Sequence, residues 1–278
     1  MSSVEYRRSG SMGANARFTE ELRGIAIGSD DRILAVGDSR VVVLDPSGER
    51  VREWSSSLPG YCVAQDLDGR VWVGEFEQVE IFDEKGTLLE TFKDPERLGL
   101  VTAIGLTREN IFLADAGARW IHRYDRQGEF LNHIGAQHRK GGFHIPNGAV
   151  DFVIAGDGIL HVANPGMHRV ERYKPDGEYL GYFGRFDGQD PEGFPGCCNP
   201  TNLALDREGR VVVTEKASPR VKLYGEDGKL LQVLADEGFD LHAKNMDLAV
   251  DSSGRIYVAD NVTFEIHIFA PVTAEGQR

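Results

Sequence analysis

The chain has 278 residues, of which 41% are hydrophobic and 27% charged, and its formal net charge of -13 gives a pI near 5.1. A surface this acidic repels phosphate backbones, and no cluster of lysines or arginines forms a basic face, so we expect no nucleic-acid partner. No stretch approaches the ~20 consecutive apolar residues that a membrane span requires, so we expect no span either.

The N-terminal segment and the cysteines bear on the compartment. The start of the chain lacks the apolar core of a secretion signal. As the sequence stands we expect a cytoplasmic protein, and a periplasmic or secreted one if an N-terminal signal was trimmed. The three cysteines, Cys62, Cys197 and Cys198, are too few to form a disulfide framework.

Six segments of the chain follow one pattern. They cover residues 24–54, 62–92, 102–135, 151–184, 202–234 and 247–272. Each segment has a short apolar strand, a turn that usually contains glycine, a β-branched run and a third strand, and all but the last add a fourth strand. Repeats of ~40–50 residues with four strands are typical of propeller blades. We therefore predict that residues 1–278 form a single all-β unit, a six-bladed β-propeller with four-stranded antiparallel blades, rather than a β-sandwich.

The sixth segment ends after its third strand. We expect residues 4–9, which precede the first segment, to supply the missing outer strand, because this would close the ring and remove a free sheet edge. The alternative is a disordered N-terminal tail.

Two kinds of sequence run carry a resemblance to a known family. The runs at 168–184 and 255–260 resemble NHL repeats, which implies the propeller fold. The segment at 193–205 resembles that of a bacterial group of NHL proteins with a Gly-Cys-Cys-Asn-Pro loop, whose function is unsettled. That group often has further cysteines where this chain has Pro195 and His242, so the resemblance carries no cysteine-rich site over.

Two rings of residues are expected to surround the central channel on one face, because the linkers into each inner strand and the loops after each second strand meet there. The first-strand ring consists of Gly24, Cys62, Thr102, Asp151, Asn202 and Asp247. The second-strand ring consists of Gly37, Glu75, Asp115, Asn164, Glu215 and Asp260. The ligand-binding candidates are Cys62, Thr102, Asp151, Asn202, Asp247, Glu75 and Asp115.

The oxygen-rich side chains of these rings suit a hard divalent metal such as calcium. The channel resembles that of gluconolactonase-like propellers, which implies Asp151, Asn202 and Asp247 as metal ligands. The structural alternative is that the strand-end acids cap turns and accept hydrogen bonds from the backbone of neighbouring loops.

The adjacent cysteines Cys197 and Cys198 are the least usual feature of the sequence. They follow a long linker rich in glycine and proline, which is expected to place both sulfurs above the channel mouth, and His144 and His242 occupy the corresponding linkers of other blades. Two thiolates and two imidazoles would suit zinc or copper(I). A strained disulfide between the adjacent cysteines, redox exchange and simple loop packing are the other interpretations. Cys62 fits a buried small side chain better than a ligand.

Two functions remain open from the sequence. The first is a binding module that presents its loop-rich face, around the channel, to a protein or small ligand. The second is a metal-dependent hydrolase or lyase, gluconolactonase-like or amidating-lyase-like, with Glu215 or Asp260 as base. The resemblance to amidating lyases would place zinc-binding histidines just before the inner strands, where this chain has Arg23, Tyr61, Val101, Val150, Thr201 and Met246. The oligomeric state stays open.

Overall fold

Six four-stranded antiparallel sheets are arranged as the blades of a β-propeller, which confirms the predicted fold class. The computed structural model describes residues 5–13, 18–135 and 141–272. Blade one contains β2 (Gly24–Ile27), β3 (Ile33–Gly37), β4 (Arg40–Leu44) and β5 (Arg50–Ser55). Blade two contains β6 (Cys62–Gln65), β7 (Val71–Gly74), β8 (Val79–Phe82) and β9 (Leu88–Phe92). Blade three contains β10 (Val101–Leu106), β11 (Asn110–Asp115), β12 (Trp120–Asp125) and β13 (Phe130–Ile134).

The second half of the ring repeats this order and adds the N-terminal strand at its end. Blade four contains β14 (Phe152–Ile154), β15 (Leu160–Asn164), β16 (Arg169–Tyr173) and β17 (Tyr179–Phe183). Blade five contains β18 (Asn202–Leu205), β19 (Val211–Glu215), β20 (Arg220–Tyr224) and β21 (Leu230–Ala235). Blade six contains β22 (Leu248–Val250), β23 (Ile256–Ala259), β24 (Ile266–Pro271) and β1 (Tyr6–Met12).

The N-terminal strand closes the ring, as the missing fourth strand predicts. Strand β1 pairs antiparallel with β24 and runs on to Met12, beyond the expected limit of residue 9, while Val4 lies outside the described residues. The Gln232 side chain on β21 accepts a hydrogen bond from the Tyr6 backbone N–H at 2.9 Å and donates one to the Tyr6 carbonyl at 2.8 Å. Tyr6 is buried, so β1 is fixed to blade five as well as to blade six.

The hydrophobic core is divided among the six interfaces between neighbouring blades. Each apolar cluster takes residues from two adjacent blades; Val36 and Val73, for example, join blades one and two. The central strands β3 and β7 are buried along their whole length because they pack against a blade on each side. The outer strand β5 alternates between half-buried and exposed residues. Continuous apolar runs in the central strands follow from this two-sided burial.

The turn that ends an inner strand is built in a repeated way. In blade two, Asp66 accepts hydrogen bonds from the backbone of Asp68 and Arg70, and Gly69 adopts a φ of +81°. A side-chain carboxylate that pairs with its own turn stabilises the turn, and glycine tolerates the left-handed backbone. Asp206 and Asp251 make the same bonds in blades five and six.

The first residues of the inner strands lie at one end of the axial channel, called here the upper mouth. The channel has a volume of about 370 Å³ and is lined by the inner strands of all six blades. Below the mouth its wall is mostly apolar, with Ile27, Leu106 and Ile154 near the lower end. Among the described residues, no helix is long and apolar enough to cross a bilayer.

Candidate functional site

A cavity of about 340 Å³ opens at the upper mouth of the channel. It shares Thr102 and Asp247 with the channel below. Its polar lining residues are Glu21, Arg23, Tyr61, Thr102, Asn147, Asn202, Lys244, Asn245, Asp247 and Asn261. Ligand pockets in proteins have volumes of ~300–1,000 Å³, so this cavity is large enough for a small molecule.

Three members of the first-strand ring meet on the wall of the channel. Asp151 accepts a hydrogen bond from the Leu203 N–H at 2.8 Å, and Asp247 accepts one from the Ile25 N–H at 2.8 Å. Asn202 stands between them and donates to Asp247 across 3.5 Å. Each carboxylate therefore ties its own blade to the next inner strand and also faces the channel.

Burial controls the ionisation of this pair of carboxyl groups. It raises the pKa of Asp247 to about 6. Burial, followed by the negative charge of Asp247, raises the pKa of Asp151 well above its ordinary value. Burial and this repulsion favour the protonated forms of the two carboxyl groups, and a cation placed between them would have the opposite effect.

The other two chemically active members of the first-strand ring are satisfied within the protein. The Thr102 hydroxyl donates to the Val150 carbonyl at 2.8 Å and accepts from the Val150 N–H at 3.1 Å. Cys62 is only 5% exposed, and its sulfur lies 3.6 Å from the Val101 carbonyl oxygen. Burial and then the charge of Asp247 raise the pKa of the Cys62 thiol, so it stays protonated at neutral pH.

The linkers into the inner strands contribute asparagines that sequence reasoning missed. The Asn245 amide donates to the Asn147 carbonyl oxygen at 3.4 Å, which leaves the Asn245 Oδ1 to accept a hydrogen bond from the Asn147 amide at 2.7 Å. These bonds fix the orientation of both amides. Asn147 Oδ1 is consequently left without a partner among the described residues.

Asn202 and Arg23 carry further unsatisfied atoms at the same cavity. The Asn202 amide nitrogen donates to the Asp247 carboxylate. The amide oxygen of Asn202, Oδ1, has no hydrogen-bond partner among the described residues. Arg23 binds Glu21 through Nε and lies over the Tyr61 ring, 4.0 Å from its centroid, while its Nη1 has no partner within the same residues. Buried polar atoms without partners are uncommon, so three at one cavity are notable.

The second-strand ring has a structural role in most blades. Asp115 accepts hydrogen bonds from the backbone of Gly99, Gly117 and Ala118. Burial alone would raise its pKa, but the His122 imidazole, 3.6 Å away, and the hydrogen bonds from the backbone amides outweigh burial and lower it. Asn164 accepts from the His144 N–H at 3.1 Å. These side chains fasten the linker that leads into their own blade, which is the structural alternative raised from the sequence.

The two residues named as candidate bases are also engaged within the fold. Asp260 is fully buried and accepts hydrogen bonds from the backbone of Asp240, Val262 and Thr263. Glu215 is fully buried between Arg220 at 2.6 Å and Lys222 at 2.7 Å. Neither residue is among those that line the mouth cavity.

Glu75 differs from the other acids of its ring. It is fully buried and accepts a hydrogen bond from Gln78 at 2.6 Å, and its Oε1 has no partner in the described part of the chain. Burial raises the pKa of Glu75 to about 7; the Gln78 bond opposes this and the negative charge of Glu80 adds to it.

The structure brings the two adjacent cysteines together but not the proposed thiolate–imidazole set. The sulfurs of Cys197 and Cys198 lie 2.9 Å apart. His144 is held by the Gly166 carbonyl at 3.2 Å, and His242 by Asp240 at 3.0 Å. Within residues 5–13, 18–135 and 141–272, no three His, Cys, Asp or Glu side chains form a metal-binding group, so the set is not assembled.

The cysteine loop is bound to the turn between β19 and β20. Asn199 binds the backbone of Lys216 in both directions, accepting at 2.8 Å and donating at 3.1 Å. Neither cysteine lines the mouth cavity. The two thiols are therefore not part of the cavity wall, because their linker is bound to its own blade.

Comparisons with known proteins show the fold. No family model matches the chain, and no curated protein matches it. A streptogramin B lyase structure matches with 12% identity and a TM-score of 0.66, over 96% of this chain and 98% of that one. A Bacteroides thetaiotaomicron protein of unknown function matches with 15% identity and a TM-score of 0.72, over 98% of this chain and 75% of that one.

A third match comes from an inactive histidine-to-alanine variant of virginiamycin B lyase from Staphylococcus aureus with quinupristin. It has 12% identity and a TM-score of 0.62, over 91% of this chain and 82% of that one. At these identities the likeness extends to the fold alone. Among the residues that the structure describes, none of those that line the mouth cavity is a histidine.

Proposed function

We propose that this protein is a binding propeller whose upper mouth takes a small polar molecule with an anionic group, such as a carboxylate, and several hydroxyl donors. Of the two partner classes that the sequence leaves open, a protein and a small ligand, the cavity of about 340 Å³ favours the small ligand. The observation that carries the proposal is the set of unpartnered atoms at this cavity.

The unpartnered atoms specify what the ligand must offer. Asn147 Oδ1 and Asn202 Oδ1 are acceptors, so they require donors such as hydroxyl groups. Arg23 Nη1 is a charged donor and requires an acceptor. A buried polar group that lacks a partner costs roughly 1–3 kcal/mol, and a ligand that supplies the partner recovers part of this.

The charges at the rim support the anionic group. The chain has a net charge of -13, yet Arg23 and Lys244 stand together on the lining of this cavity. The Lys244 ammonium has no carboxylate partner in the described part of the chain. Arg23 is held in place by Glu21 and the Tyr61 ring, so its guanidinium is oriented before any ligand arrives.

Isothermal titration with sodium gluconate tests the proposal. Glucitol is the matched control, because it has the same carbon chain and carries a hydroxymethyl group in place of the carboxylate. We expect saturable binding of gluconate and binding of glucitol that is weaker by about tenfold or more, as expected for the loss of a charge-assisted hydrogen bond. Arg23→Gln should abolish the difference between the two compounds.

Two results would overturn the proposal. The first is the absence of gluconate binding to a protein whose circular dichroism shows the β fold. The second is equal binding of gluconate and glucitol, which would remove the role of Arg23. Binding that survives both Arg23→Gln and Asn147→Leu would place the ligand elsewhere on the protein.

A metal-dependent lyase or hydrolase is the second candidate function, and one observation favours it. Asp151, Asn202 and Asp247 meet in the channel with the Asn202 Oδ1 unpartnered, which is a set of oxygen donors that fits a hard divalent cation. Such a cation, held by these three residues, would polarise a carbonyl group of a substrate. Two of the structural matches are lyases, which is consistent with the candidate without extending beyond the fold.

Elemental analysis of the purified protein separates the two candidates. A bound metal in stoichiometric amount that is lost in Asp247→Ala supports the oxygen site. Loss in Cys197→Ser/Cys198→Ser instead would support a zinc or copper(I) thiolate site. Folded protein that contains no metal would exclude both metal sites and would leave the binding function as the proposal.

We also propose that the chain belongs with the NHL-repeat propellers that carry a Gly-Cys-Cys-Asn-Pro loop. The runs at 168–184 and 255–260 and the segment at 193–205 support this assignment. A sequence profile built from proteins with the same loop, and matched to the six repeats, would test it.

A further inference from the structure

Cys197 and Cys198 form a pair of thiols with unequal access to solvent. Their sulfurs lie 2.9 Å apart, and both are free cysteines. Cys197 is exposed, whereas Cys198 is only 1% exposed. A molecule in solution can therefore reach the first sulfur, while the second is placed to react only with the first.

The surroundings of the pair hold it in this arrangement. Asn199 is 1% exposed and binds the Pro195 carbonyl at 2.8 Å as well as the backbone of Lys216. The Lys216 side chain interacts with both thiols, and a nearby ammonium favours the thiolate. The hydrogen bond from the Cys198 thiol, and then the charge of Lys216, lower the pKa of Cys197, although burial opposes this.

The described residues bring no third metal-binding side chain to this pair. Two sulfurs alone leave a zinc ion short of its usual four ligands. The unequal access of the sulfurs and the fixed loop fit another chemistry of cysteine pairs. We propose that Cys197 and Cys198 form a thiol–disulfide exchange site that reacts with small disulfides, with Cys197 as the attacking residue and Cys198 as the resolving residue.

The reaction takes place in two steps. The Cys197 thiolate attacks one sulfur of a disulfide R–S–S–R, so that a bond forms between Cys197 Sγ and that sulfur while R–S⁻ leaves. Cys198 then loses its proton and attacks Cys197 Sγ, which expels the second R–S⁻. The two protein thiols are oxidised by two electrons to one disulfide, and the small disulfide is reduced to two thiols.

The product is a disulfide between adjacent residues and is expected to be reversible. Consecutive Cα atoms are ~3.8 Å apart, whereas the Cα atoms of ordinary disulfides are ~4.4–6.8 Å apart. A bond outside this range is reduced readily, which suits exchange in both directions better than permanent cross-linking. This inference does not depend on the proposed ligand, because neither cysteine lines the mouth cavity.

Intact-mass analysis after treatment with oxidised glutathione tests the proposal. The native protein is treated, unfolded and alkylated, and the remaining thiols are counted. We expect the wild type to lose the mass of two hydrogen atoms and to keep one alkylatable thiol of its three, at Cys62. Dithiothreitol should restore all three. Cys62→Ser is the matched control and should lose both remaining thiols in the same way.

Single variants separate the roles of the two residues. Cys198→Ser should stop at a glutathione adduct on Cys197, because the resolving thiol is missing. Cys197→Ser should leave Cys198 unmodified, because that sulfur is buried. A stable glutathione adduct on the wild type would overturn the proposal. So would protection of both thiols from alkylation by added zinc in the absence of oxidant.

Discussion

Asp260 and Asp247 belong to the same blade, yet their surroundings shift their pKa values in opposite directions. Burial disfavours the charge of Asp260, but the nearby His267 imidazole and hydrogen bonds from three backbone amides outweigh it and hold its pKa well below the ordinary value. Burial raises the pKa of Asp247 to about 6, and its hydrogen bonds to the backbone only partly oppose this. The difference separates an acid that fastens a loop from one that faces the channel.

The same contrast extends around the two rings. In blades one, two, three, four and six, a polar side chain at the end of the second strand, or next to it, binds the backbone of the linker into its own blade. These side chains are Asp38, Glu75, Asp115, Asn164 and Asp260. At the channel mouth, Asn147 and Asn202 instead keep oxygens that have no partner among the described residues. Side chains of the first group stabilise the fold, and those of the second mark the place where a ligand could complete the hydrogen bonding.

The largest effect is expected from Asp260→Asn. One oxygen of Asp260 accepts from Asp240 and the other from Val262 and Thr263, so an amide would turn its NH₂ group towards an N–H donor. We expect a loss of roughly 2–4 kcal/mol in the free energy of unfolding, measured with urea at pH 7. A change below about 0.5 kcal/mol, which is the range of ordinary surface substitutions, would contradict the structural role of this ring.

Glu75→Gln is expected to give the next largest effect, with the opposite sign. Glu75 has a pKa of about 7 in the folded protein, and ~4.3 is usual in an unfolded chain. The folded state therefore binds the proton more tightly, and wild-type stability falls as the pH rises from about 4.3 to 7. Gln removes this loss, so at pH 8 the variant should be more stable by roughly 2–3 kcal/mol and at pH 4.5 nearly equal.

Urea unfolding of both proteins across this pH range is the measurement. Glu80→Gln is the comparison, because it removes the neighbouring charge and should lower the pH at which the decline in stability ends. A constant difference between Glu75→Gln and the wild type at all pH values would show that Glu75 does not titrate in this window.

Asp247→Asn should give a smaller pH-dependent effect. Its folded pKa of about 6 lies above the unfolded value of ~3.9, so the wild type loses stability between these two pH values. Both oxygens of Asp247 accept backbone hydrogen bonds, from Ile25 and Leu248, so the amide carries a cost that does not depend on pH. Because the residue also faces the solvent of the channel, we expect the stability of the variant relative to the wild type to be only about 1–2 kcal/mol greater at pH 7.5 than at pH 4. Urea unfolding at the two pH values measures this difference, and an equal effect of the substitution at both would show that Asp247 does not titrate in this window.

The sequence was sufficient for the fold because the information lies in a repeated local pattern. Six copies of four strand-like runs, with glycine at the turns, predict six blades, and the missing strand of the last copy predicts closure by the N-terminus. The first-strand ring could be aligned for the same reason, and Asp151, Asn202 and Asp247 do meet in the channel.

The mouth cavity could not be assembled from the sequence because it is built by linkers of unequal length. Asn147 and Asn245 come from the linkers before blades four and six, and no repeat register aligns them. Arg23 and Tyr61 were noted only as positions without histidine, although a cation stacked on an aromatic ring could have been considered there. Cys197 and His144 were grouped by topology alone, which does not specify how each linker is fastened to its blade.

The smallest effect on stability is expected from Asn147→Leu. Asn164→Leu in the second-strand ring is the matched substitution for comparison. Asn147 makes its side-chain bond only to Asn245, and both residues lie at the open cavity, so its loss should change the free energy of unfolding by less than about 1 kcal/mol. Asn164→Leu removes the bonds to the His144 N–H and to Glu171 inside the fold and should cost several times more. The effects on gluconate binding should be the reverse. Asn147→Leu should weaken gluconate binding, whereas Asn164→Leu protein that still folds should bind gluconate as the wild type does. If urea unfolding showed that both substitutions lower the free energy of unfolding equally, the second-strand ring and the channel mouth would not differ in their contribution to stability.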